Sequence, residues 1–133
     1  MPQIASYDAK NVSVTVDSVF ITGFAESTFV ECEKAEDTFQ TSVGAQGDVG
    51  ISEVNNPLGT INLTVQQTSP SLAYLNRLAA SKRIVPVWVI SQNEVKEKIG
   101  GTQARVMKGA PSSFSNAIES RAFQIQVFDY TQE

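Results

Sequence analysis

The sequence predicts a mainly β fold, an antiparallel β-sandwich or flattened barrel of about eight strands with one capping α-helix at about residues 69–82. Two patterns carry that prediction. Apolar and polar residues alternate with period two in successive stretches, while helical spacing of apolar residues occurs once. The 133 residues, 41% of them hydrophobic, suit one domain spanning residues 1–133 with a core of its own.

In chain order, Val12, Val14 and Val16 alternate with Ser13 and Thr15, a half-buried strand. Asp17-Ser18 turns the chain into Val19-Phe20-Ile21-Thr22, which completes a hairpin. Thr28 to Lys34 alternates again, with Phe29, Glu31 and Glu33 on one side and Val30 and Cys32 on the other, so Cys32 reads as a small core residue. From about 35 to 50 the patterning fails. Small, polar and glycine residues dominate there, a long loop of the kind that is functional or mobile, and Phe39 and Val43 stand out as anchors for something beyond the monomer.

Val49 to Val54 makes a short strand, and Asn55-Asn56-Pro57-Leu58-Gly59 a turn expected to join it to its antiparallel neighbour, Thr60 to Gln67. In that neighbour Ile61, Leu63 and Val65 face one way and Thr60, Asn62, Thr64 and Gln66 the other. Thr68-Ser69-Pro70 supplies a capping hydroxyl and a first-turn proline for a helix whose stripe is Leu72, Leu75, Leu78 and Ala79. Ile84 to Ile90 is a buried strand with Pro86 at its start or at an edge. Ile99 to Met107 and Arg121 to Asp129 are further strands. The last points Phe123, Ile125 and Val127 inward and Gln124 and Gln126 outward.

Composition excludes much chemistry. There is no histidine, so serine–histidine and cysteine–histidine pairs are ruled out, and a metal site would have only carboxylates. The lone Cys32 closes no internal disulfide, and no phosphate-binding glycine loop or nucleophile elbow occurs. We therefore expect no enzyme activity, no catalytic or metal residues and no cofactor. Paired Glu31 and Glu33 as glycosidase carboxylates are the weakest reading, since they share one strand face. No leader or membrane-spanning pattern is seen, and no membrane anchoring is expected.

Charge is divided along the chain. Residues 26–53 hold seven acids and one base, residues 77–108 seven bases and two acids. The two regions are either ordinary solvated surfaces or complementary faces that register self-assembly. On the second reading Glu36, Asp37 and Asp48 oppose Lys96, Lys98 and Arg105.

The sequence resembles the tail tube proteins of contractile-tailed bacteriophages. The resemblance rests on Tyr7-Asp8-Ala9-Lys10-Asn11-Val12, Ile21-Thr22-Gly23-Phe24-Ala25, Glu33-Lys34-Ala35-Glu36-Asp37 followed by Phe39, Val43-Gly44-Ala45-Gln46-Gly47, Asn55 to Ile61 and Gln66 to Ser71. It covers about residues 7–78, and the C-terminal half only by layout. It implies hexameric rings stacked as a tube inside a contractile sheath, a fold shared with type VI secretion and contractile bacteriocin tubes. It also implies as partners further copies of the chain, the sheath protein, and the tape-measure protein and transient double-stranded DNA in the lumen. The expected location is the virion tail, assembled in the host cytoplasm. A tail terminator or baseplate-hub protein of the same fold is the alternative within the particle, and a small ligand-binding β-barrel the alternative outside it. On the tube reading Thr60, Asn62, Thr64, Gln66, Gln124 and Gln126 form a neutral, wet lumen wall, and Phe39 and Val43 join the six charged residues at subunit and ring contacts.

Overall fold

The computed structural model describes residues 4–26 and 28–133. A single 3-10 turn at Ala9–Asn11 leads into β1 (Val12–Val16). Asp17 and Ser18 then both take positive φ, 52° and 64°, as the two-residue hairpin turn into β2 (Val19–Phe20) requires. β3 (Val30–Lys34), β4 (Phe39–Val43), β5 (Val49–Glu53) and β6 (Gly59–Gln66) follow, then α1 (Ser71–Ser81). β7 (Val85–Ser91), β8 (Glu97–Val106), β9 (Ser120–Val127) and β10 (Thr131–Gln132) complete the chain.

Eight strands form one antiparallel sheet in the order β2-β1-β7-β8-β9-β6-β3, with β10 added to β8, and β4 with β5 form a separate ribbon. The mainly β, single-helix architecture is as expected. The sheet is open: among the described residues no strand joins β2 to β3, so it forms no closed barrel. The long β8 lets the sheet fold over itself. Its first part pairs with β7 and β10, and its last residues, Ala104 to Val106, pair with β9. Gly100 has φ +144°, and a Cβ there would collide with the Val87 carbonyl.

Alternation decides what is buried. Val14, Val16, Ile61, Leu63, Val65, Val85, Val87, Val89, Phe123, Ile125 and Val127 meet in one core, closed by Leu75 and Leu78 of α1. The helix starts two residues later than expected, because Ser69 caps from outside it. The Ser69 hydroxyl accepts from the Ser71 N–H at 3.1 Å and donates to the Thr22 carbonyl at 2.5 Å, stapling the helix start to the strand region after β2. Pro86 lies near the start of an interior strand, where the β7–β8 register is irregular, and its carbonyl accepts from the Asp17 N–H at 2.8 Å.

Two expectations about the 35–59 region are corrected. The patternless loop contains a strand, β4, that pairs with the expected short strand β5, and the Asn55–Gly59 turn does not join neighbouring strands, since among the described residues β5 pairs with β4 while β6 pairs with β3 and β9. The ribbon is thus an excursion from the β3–β6 pair. It leaves after Lys34, which is paired with Gly59, and the Ala35 N–H still donates to the Leu58 carbonyl at 3.0 Å.

Candidate assembly surfaces

The arm formed by β4 and β5 stands clear of the core, with every residue of both strands exposed. Its tip closes through Gly44 N–H to the Asp48 carbonyl at 2.7 Å, and Gly47 turns the chain at φ +92°. Residues directly opposite in an antiparallel pair share a face. The register pairs Phe39 with Glu53, Thr41 with Ile51 and Val43 with Val49. One face therefore gathers Phe39, Val43, Val49 and Ile51, which remain 51%, 69%, 61% and 65% exposed. A two-stranded ribbon is marginal alone, and an apolar face with nothing over it makes it more so. Glu36 and Asp37 lie at the base of the arm and Asp48 at its tip.

Sequence reasoning found Phe39 and Val43 but not that Val49 and Ile51 complete their face. The signal was present. Alternation on both sides of Gly44–Asp48 marks a hairpin, and the glycines and small polar residues of the alternate positions hid it.

The second surface is the outer face of the β8–β9–β6–β3 part of the sheet. Thr60 lies beside Gln126, Asn62 beside Gln124, Thr64 beside Ala122 and Gln66 beside Ser120. All six residues read as one polar wall do lie on one face, opposite to buried Ile61, Leu63, Val65, Phe123, Ile125 and Val127. These six are neutral, and charged residues flank them on the same face. Strand register puts Glu33 beside Thr60 and Glu31 beside Asn62 on one flank, and Arg105 beside Gln126 on the other. Arg105 thus shares the face of the polar wall.

Solved structures were compared with this fold. One, described as the sheath/tube terminator of an extracellular contractile injection system (PVC) in its extended state, matches with TM-score 0.65 and 12% identity over 96% of both chains. Another, the cap of the anti-feeding prophage, described as a tube-terminating cap, matches with TM-score 0.64 and 11% identity, covering all of this chain and 94% of that one. The chain has a tail-tube-like fold. No family model and no curated protein matches the sequence. The two similar structures are structural parts of injection machines rather than enzymes.

Within the tail-tube-like fold the divided charges find few partners. The one ion pair among the described residues is Arg83 to Asp17 at 3.2 Å, between the connection after α1 and the first hairpin turn, so among them neither the acids of the arm nor Lys96, Lys98 and Arg105 are in ion pairs. Lys96 is exposed in the connection before β8, and Lys98 instead places its ammonium 4.4 Å from the Trp88 ring centroid. Cys32 is half-buried against the core, and burial, then the Glu31 and Glu97 carboxylates, push its thiol up to about 11, so it stays protonated at neutral pH.

Proposed function

We propose that this chain is a structural subunit of a tail tube, assembling into hexameric rings that stack within a contractile sheath as a conduit for DNA ejection. The observation that carries the reading is the arm: a ribbon with one apolar face and acidic residues at base and tip, held out from a core that is complete without it. A second copy is the occupant whose chemistry fits, because the same chain displays the unpaired bases. Phe39 and Val43, with Val49 and Ile51, supply contact area, while Glu36, Asp37 and Asp48 against Lys96 and Lys98 set register more than strength.

On this reading Thr60, Asn62, Thr64, Gln66, Gln124 and Gln126 face the bore, where neutral hydrogen-bonding groups let a tape-measure protein and then DNA pass without a continuous lysine or arginine row to hold phosphates. The sheath protein is the partner on the outside, and the virion tail, assembled in the host cytoplasm, is the site of action. A terminator role is favoured by the description of both similar structures as a tube terminator or terminating cap. The two roles separate by growth: a tube subunit stacks without limit, whereas a terminator stops at a ring. Purified protein imaged in negative stain at rising concentration distinguishes stacked tubes from single rings, and dispersed monomers would refute both.

A further inference from the structure

We propose that Arg105 on one flank of the polar face and Glu31 with Glu33 on the other form an intermolecular charge pair that joins copies of this chain head to tail. The inference rests on the ring-forming reading above and names the side chains that register its seam. Consecutive registers place Arg105, Gln126, Thr60 and Glu33 in a single row across β8, β9, β6 and β3. With strands about 4.8 Å apart, the cation and the carboxylate at its ends are about 14 Å apart, too far to meet within one chain.

Both ends of the row are open. Among the described residues β3 pairs with β6 alone, and no strand lies on its other side. β7 pairs with β8 only as far as Ala104, so beside Arg105 no strand of the described residues lies on the side away from β9. Exposed strand edges invite pairing with another chain. Direction permits it too: the four strands alternate, so in a second copy set alongside in the same orientation β3 runs antiparallel to the first copy's β8.

The charges then choose among the possible joints. Setting two β3 edges together would oppose Glu31 and Glu33 with their own copies, and that arrangement repels. Only the heterologous joint, β3 to the end of β8, brings opposite signs together, and a heterologous joint closes into a ring when its rotation divides the circle. Glu31 and Glu33 are exposed and Arg105 is half-buried, and none has an ion-pair partner within the chain.

The test has two arms on the full-length chain. Arg105→Glu raises the protein concentration needed for half-assembly by about tenfold, and adding Glu31→Lys with Glu33→Lys restores it to within about twofold of the parent. Circular dichroism verifies that these surface variants keep the fold. A triple exchange that assembles no better than Arg105→Glu overturns the pairing. In a Cys32→Ala background, Arg105→Cys combined with Glu31→Cys or with Glu33→Cys gives, under mild oxidation, a ladder of disulfide-linked oligomers for at least one combination, as strand neighbours lie within disulfide reach. Rings that form with no ladder from either combination refute this seam while leaving the tube reading intact. Parent protein that stays monomeric at every concentration refutes the tube reading, and this inference with it.

Discussion

At the scale of single residues, Asp129 ties down β8 where its register with β7 is irregular. Its carboxylate accepts from the Thr102 hydroxyl at 2.6 Å, the Thr102 N–H at 3.1 Å and the Gln103 N–H at 3.0 Å. Burial works to raise its pKa, but these hydrogen bonds outweigh burial and hold it below its ordinary value. A depressed carboxylate pKa adds stability above the unfolded-state value and loses it as pH falls through the folded value. Asp129→Asn is therefore expected to lower Tm by about 3 °C at pH 7, with the gap to the parent closing as pH falls through the lowered folded-state value. A gap independent of pH would remove the charge from the explanation. Gly100→Ala is harsher, because its Cβ meets the Val87 carbonyl at a positive φ; a loss of about 3 kcal/mol in denaturant unfolding is expected.

Among the elements, the arm is the one whose removal separates folding from assembly. Replacing residues 38–54 by a short glycine linker discards no core residue and keeps the β3–β6 pair. Far-UV dichroism and Tm should stay within a few degrees of the parent while stacking is lost, and unimpaired tubes from the deletion would contradict the role given to the arm. By contrast, Leu75→Ala removes a fully buried contact between α1 and the sheet and should cost about 3 kcal/mol. The two elements were not equally legible in the sequence. α1 and the strands β1, β6, β7 and β9 show in the sequence because one face is buried, and burial writes a periodic pattern. The arm buries neither face. With no face buried, its first strand and tip carry small polar residues and the glycines Gly44 and Gly47 and read as a loop, while β5 shows only as a short strand. The two-residue β10 is too short for any alternation to show. The polar wall was legible residue by residue along β6 and β9, but its charged flanks were not, since Arg105 comes beside Gln126 only through the β8–β9 register.

For the whole molecule, a complete core, an open-edged sheet, an outstretched apolar ribbon and unpaired charges of both signs are the surfaces that the proposed reading assigns to other copies of the chain. If the wall from Thr60 to Gln66 faces a bore, Thr64→Lys with Gln66→Lys leaves tube formation intact but slows DNA ejection, in a manner relieved by raised salt because the added lysines hold phosphates. Ejection unchanged by these lysines would place that wall elsewhere. The central claim is unlimited self-assembly. It is tested most directly by negative-stain imaging of the purified chain across rising concentration. The account predicts rings that stack into tubes with a continuous bore, whereas particles that remain monomers, or single rings that never stack, would contradict it.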